Sequence, residues 1–149
     1  MKQRTKDNGN KVDDWATPKW LYDSLNMEFG FDFDPCPMNP EFDGLNIEWG
    51  KSNFVNPPYS TKLKSNFIRK GFEEWMKGKT VVFLIPPSID TKDFHNYILP
   101  YAEIRYICGR VCFEGYDTKG KFVNNKSGQT GSMICILRNN TNHEGKEVK

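Results

Sequence analysis

A chain of 149 residues has the size of one domain with a single core, and its eleven Phe, six Tyr and four Trp exclude a disordered polypeptide. A formal charge of +2 excludes a protein that wraps nucleic acid through its overall field, so any contact with a polyanion has to come from a local patch. No run of about 18 apolar residues exists to cross a membrane, and the N-terminal MKQRTKDNGNKVDD has no apolar stretch to act as an export signal, so a cytoplasmic location is expected.

Residues 1–13 and 139–149 are polar and charged without apolar periodicity and read as disordered tails around a single domain over 14–138. Thr17-Pro18 followed by Trp20, Leu21 and Leu25 predicts a short helix, with Thr17 as N-cap, Pro18 at the first helical position and Gly30 ending the unit. Phe31-Asp32-Phe33-Asp34 alternates apolar and acidic residues and predicts a strand ending at Asp34; residues 35–50, rich in Pro, Asn and Gly, form a loop. A strand over 53–55 runs into Asn56-Pro57-Pro58-Tyr59. The helical spacing of Leu63, Phe67, Ile68, Phe72, Trp75 and Met76 predicts a helix over 62–77, closed by Gly78. The apolar run 79–85, stopped by Pro86-Pro87, is a central strand covered on both faces. A helix over 90–99 and strands over 102–108 and 132–138 follow, with a polar stretch at 114–131 between the strands. Alternating strands and helices predict a mostly parallel sheet, and the final strand pair, with no helix between, an antiparallel finish.

Cys36 and Cys135 stand alone and Cys108 and Cys112 are four apart, which fits no zinc frame, so reduced and mostly buried thiols are expected. His95 and His143 lack partners at ligand spacing, and no metal is assigned.

The segment richest in chemistry is Asn56-Pro57-Pro58-Tyr59. An exocyclic amine on an aromatic ring is a poor nucleophile because its lone pair is delocalised into the ring. Hydrogen-bond acceptors on both of its N–H groups localise that pair; the Asn56 side-chain oxygen supplies one and the Pro57 carbonyl the other. Two successive prolines fix φ and hold the loop extended, so the acceptors are placed before a substrate arrives. Tyr59 offers a ring on which a base can stack. The same four residues also suit a plain turn. Their position just past a predicted strand end, where open α/β sheets place ligands, favours the catalytic reading.

Four ordered pieces, Trp15-Ala16-Thr17-Pro18, Phe33-Asp34-Pro35-Cys36, Asn53-Phe54-Val55-Asn56-Pro57-Pro58-Tyr59-Ser60 and Gly109-Arg110-Val111-Cys112-Phe113, give the chain a resemblance. Over roughly 14–138 it resembles the phage-type DNA N-6-adenine methyltransferases, a Dam-like family of small bacteriophage and prophage proteins. The resemblance implies an abbreviated Rossmann-like, S-adenosylmethionine-dependent methyltransferase fold that acts at specific sites on adenines flipped out of double-stranded DNA. It implies Asn56, Pro57, Pro58 and Tyr59 as catalytic residues. It implies Trp15, Thr17, Pro18, Asp34, Pro35, Cys36 and Asn56 as the lining of the cofactor pocket, with Asp34 meeting either the methionine ammonium or a ribose hydroxyl. Asp34 also fits a turn cap. The chain departs from larger methyltransferases in having Pro37-Met38-Asn39-Pro40 where a Gly-rich turn usually follows the acidic-Pro strand end.

Lys62, Arg110, Lys119, Lys121 and Lys126 are candidates for phosphates. Phe113 is a candidate for stacking opposite Tyr59, or plain core. The stretch 114–131 suits a flexible reading loop or a solvated hairpin connection. Taken alone, the loop also fits cytosine N4 or a protein glutamine as acceptor, and the missing glycines fit a non-catalytic DNA-binding relic.

Overall fold

The computed structural model describes residues 17–38, 40–58, 60–109, 113–116, 122–125 and 131–139. Two helices, α1 (Lys19–Phe29) and α2 (Thr61–Met76), accompany six strands: β1 (Ser52–Val55), β2 (Thr80–Ile85), β3 (Glu103–Tyr106), β4 (Phe113–Tyr116), β5 (Phe122–Asn125) and β6 (Met133–Leu137). β1, β2, β6 and β3 form a mixed sheet in that order, and β4 pairs with β5 in a separate antiparallel ribbon.

β1 and β2 are parallel, while β6 runs antiparallel to both β2 and β3. Two of the three pairings are therefore antiparallel, and the sheet is mixed rather than mostly parallel as strand alternation predicts, while the last strand opposes the other three as expected. The last strand, β6, lies between β2 and β3, where a run as apolar as Met-Ile-Cys-Ile-Leu is covered on both faces.

Residues along the strands alternate between two cores. Val55, Val81, Phe83, Ile85, Met133, Cys135 and Leu137 face one side, where Phe67 and Ile68 of α2 pack with Phe94 and Ile98. Phe54, Val82, Leu84, Ile134 and Ile136 face the other, against Leu21 and Leu25 of α1. The result is a three-layer arrangement with helical segments on both faces of the sheet.

Three predicted elements shrink. The strand over 31–34 is reduced to one parallel bridge from Phe33 to Asn53, because the Asp32 carboxylate turns aside to accept the Lys51 and Ser52 amides at 3.3 and 3.0 Å. The helix over 90–99 becomes a π-helical turn, Phe94–Ile98, closed by a 2.7 Å bond from Leu99 N–H to the Phe94 carbonyl; Pro100 then has no N–H to continue it. The strand over 102–108 covers only Glu103–Tyr106. Helix α2 and strand β2 match their expected spans to within a residue. Gly30, at φ 57°, ends α1 in the left-handed conformation that glycine adopts most readily.

Candidate active site

Asn56, Pro57 and Pro58 leave the carboxyl end of β1 and are all buried. Their approach is fixed three residues earlier by Asn53, which has no exposed surface. Its Nδ2 donates to the Gly50 and Thr80 carbonyls at 2.9 and 3.1 Å, and its Oδ1 accepts the Gly50 amide at 2.9 Å. Strand β1 is thereby locked to β2 just before the loop begins. Ser60 then takes the N-cap position of α2, and its carbonyl accepts the Lys64 amide at 2.9 Å.

Two segments distant in sequence meet at Asn56. Its Nδ2 donates to Thr17 Oγ1 at 3.0 Å, and its main-chain carbonyl accepts a 3.1 Å bond from the Cys36 thiol. The three pieces expected to share one pocket, Thr17-Pro18, Asp34-Pro35-Cys36 and the Asn56 loop, therefore converge. The contact with Thr17 also corrects the expected cap. Helix α1 starts after Pro18, which holds the N-cap position with ψ 141°, and the Pro18 carbonyl takes the Leu21 and Tyr22 amides at 3.1 Å each. The Thr17 hydroxyl reaches Asn56 instead of the helix.

Asp34 builds its turn without a glycine. Its Oδ1 accepts the Cys36 amide at 2.9 Å, a side-chain-closed turn in which Pro35 is buried. The close backbone approach comes from further along: a Cβ on Gly44 would lie 2.9 Å from the Pro35 carbonyl carbon and 3.2 Å from the Phe67 ring. The Gly44 carbonyl is held there by Trp49 Nε1 at 2.7 Å.

Tyr22 is a residue that sequence reasoning missed. Its ring lies 5.6 Å from Phe31 and 5.2 Å from Phe54. Burial, then the negative charge of Asp34, pushes its hydroxyl pKa up. The signal available was spacing: Tyr22 stands one helical turn beyond Pro18, but Leu21 and Leu25 dominate the periodicity.

Lys62 is exposed on the first turn of α2. Phe113 opens β4, and the stretch expected as a flexible reading loop contains the paired strands β4 and β5, with Tyr116 opposite Phe122. Trp15, Tyr59, Arg110, Lys119, Lys121 and Lys126 lie outside the described residues. Of the cysteines, Cys36 and Cys135 are buried and Cys108 is exposed, while Cys112 is also outside the described residues. Among the described residues no group of three or more His, Cys, Asp or Glu is placed to hold a metal, and no helix is long and apolar enough to cross a membrane.

The family model for DNA N-6-adenine-methyltransferase (Dam) matches residues 3–146. The chain belongs to this family. The DNA N-6-adenine-methyltransferase of Haemophilus phage HP1 (strain HP1c1) is 31% identical over 140 residues, a match that covers 84% of this chain and 76% of the relative. No solved structure matches the chain.

Membership decides among the acceptors that the loop alone left open: the enzyme is a DNA adenine-N6 methyltransferase rather than a glutamine or cytosine methylase or a relic. The family implies S-adenosylmethionine as donor. The residues around Asn56 fit that cofactor. Asp34 presents a carboxylate suited to an ammonium or a ribose hydroxyl, on a turn that packs against Gly44 and is tied through Cys36 to Asn56.

Proposed function

We propose that the enzyme methylates N6 of an adenine turned out of double-stranded DNA at a specific sequence, with Asn56 Oδ1 and the Pro57 carbonyl oxygen receiving the two N6–H groups. The convergence of Thr17, Cys36 and Asn56 at the carboxyl end of β1 carries this reading. Ligands gather at strand ends of this kind in α/β sheets, and the parallel pair β1 and β2 joined through α2 supports an abbreviated Rossmann-like fold.

Trp15, Thr17, Pro18, Asp34, Pro35 and Cys36 line the cofactor pocket in this reading, with the Tyr22 hydroxyl within the field of the Asp34 charge. S-adenosylmethionine supplies an electrophilic methyl on a sulfonium, which leaves as a neutral thioether. The protein acts on the other partner. Two acceptors draw the N6–H bonds into place and turn the nitrogen lone pair out of the ring toward the methyl carbon. As the N–C bond forms, N6 becomes cationic and sheds one proton. Neither an amide oxygen nor a peptide carbonyl is basic enough to keep that proton, so it passes to water.

Tyr59 and Phe113 stack on the displaced base, and Lys62, Arg110, Lys119, Lys121 and Lys126 neutralise phosphates beside it. The setting is the cytoplasm of a bacterium carrying a phage or prophage. Replacing Asn56 with Ala removes one acceptor, and kcat on plasmid DNA should fall by about 100-fold or more while S-adenosylmethionine affinity, measured by calorimetry, changes little. Turnover equal to wild type would sink the reading. Mapping modified adenines on the plasmid gives the sequence context in the same experiment.

A further inference from the structure

We infer that Thr17 is a positioning residue for the transfer step, holding the Asn56 amide in the orientation that presents Oδ1 to the base. The inference rests on the catalytic reading of Asn56 given above. A primary amide has nearly the same shape either way round but opposite hydrogen-bonding character at its two ends. Turned one way it offers an oxygen to an N–H donor; turned the other way it sets N–H against N–H. Rotation about the side-chain bonds also moves the oxygen by more than a catalytic hydrogen bond tolerates.

The structure places a hold on each half of Asn56. Nδ2 lies 3.0 Å from Thr17 Oγ1, so Oδ1 is at the opposite end of the amide. The main-chain carbonyl, which belongs to the peptide plane leading into Pro57, takes the buried 3.1 Å bond from Cys36 Sγ. The thiol donates to the main-chain carbonyl and holds the backbone; the hydroxyl oxygen accepts from Nδ2 and holds the side chain. Thr17 is free to do this because α1 does not use it: Pro18 is the N-cap, and no side-chain cap bond is made there. The N-terminal Thr-Pro element thus acts through Asn56, beyond any wall it forms for the cofactor.

Three variants and one spectrum test this. Thr17→Val keeps the shape and loses the hydroxyl; Thr17→Ser keeps the hydroxyl and loses the methyl. Measured at saturating S-adenosylmethionine and DNA, so that a weaker pocket wall does not enter, Thr17→Val should lower kcat about tenfold, the loss of one neutral hydrogen bond, and Thr17→Ser should recover most of the loss. In the wild type, one Asn56 side-chain amide proton should resonate downfield and exchange slowly, and Thr17→Val should abolish both signs. Wild-type turnover in Thr17→Val overturns the inference. So does a Ser variant as poor as the Val variant, which would mark the methyl as a packing group. Loss of cofactor affinity with kcat unchanged would make Thr17 a cofactor residue alone. Should Thr17→Val fail to fold, the wild-type spectrum decides: an Asn56 side-chain amide that exchanges as fast as an exposed one excludes the hold. Asn56→Ala run alongside separates the two readings, since full activity there removes the catalytic reading itself, whereas its inactivity beside an active Thr17→Val removes only the positioning.

Discussion

Glu74 is a carboxylate with no exposed surface, in the last turns of α2. It accepts bonds from the Trp49 amide at 2.9 Å, Lys77 at 2.9 Å and Lys79 at 2.5 Å, with Lys70 at 3.3 Å. Burial alone would raise its pKa; the bonds from Lys79, Lys77, Trp49 and Lys70 outweigh that and bring it down from 4.5 to about 2. A lowered carboxyl contributes stability that is complete above the unfolded value and is lost as pH falls toward the folded one. The wild type should therefore lose stability between roughly pH 4.5 and 2 through this group, and urea midpoints measured across that range should show a shallower acid limb in Glu74→Gln. Glu74→Leu, which strands the Trp49 amide and leaves Lys79 only the Trp49 carbonyl and Glu48, should cost about 3 kcal/mol in urea denaturation at neutral pH, and the Gln variant about half that. A Leu variant as stable as wild type would show that the cluster carries no net weight.

The two asparagines of Asn53-Phe54-Val55-Asn56 show where reading the sequence reaches its limit. Both lie in one motif and both are buried, yet Asn53 closes bonds to backbone groups of Gly50 and Thr80 while Asn56 meets a side chain 39 positions away. Position beyond the strand end was enough to single out Asn56. The tie to Thr17 leaves no trace in spacing, because a residue before a helix looks like a cap whether its hydroxyl turns toward the helix or away.

At the level of elements, the apolar periods of α2, β2 and β6 were legible because each buries a continuous stripe or a full strand. The elements that shrank are those whose backbone is claimed by nearby side chains or by proline, such as Asp32 beside the Phe33 bridge and Pro100 after the π-turn. Two glycines mark how tightly the layers close. A Cβ at Gly71 of α2 would meet Phe83 Cε1 at 2.8 Å and Val81 Cγ1 at 3.1 Å, and one at Gly44 would meet the Pro35 turn. Gly71→Ala should push α2 off the sheet and cost about 1–3 kcal/mol in thermal or urea unfolding, with cofactor affinity kept. Gly44→Ala, whose Cβ would meet the Pro35 backbone rather than a side chain, should displace the turn that carries Asp34, so calorimetry should show weaker S-adenosylmethionine binding in addition to a lowered melting temperature. Equal cofactor affinity in the two variants would detach Gly44 from the pocket.

Over the whole molecule, the two ends of the sheet do different things. Asn56 sits at the carboxyl ends of the parallel strands. At the other end Arg105 makes a two-bond contact with Glu28 at 2.6 and 2.7 Å, Arg138 bridges Glu28 and Glu103, and both guanidinium groups lie over the Phe29 ring at 5.8 and 5.2 Å. Hydrogen bonds from Arg105 outweigh desolvation there and bring the Glu28 carboxyl to about 2. Being largely exposed, each of these pairs contributes under about 1 kcal/mol, so salt should erode this end only slightly.

The central place of β6 has a consequence in time. Strand β2 cannot gain its second neighbour, nor β3 any neighbour, until Met133–Leu137 has been synthesised. A ribosome therefore carries an open apolar edge on β2 for the whole interval between residues 85 and 137, and closure depends on pairings of high contact order. A chain ended after Gly131 should be degraded or aggregate rather than persist as a smaller domain, and pulse-chase with protease should show protection only for nascent chains that have released β6. Protection of the shorter chain would mean that the sheet closes without it. The interval between the start of translation and a usable enzyme is set by the synthesis of Met133–Leu137.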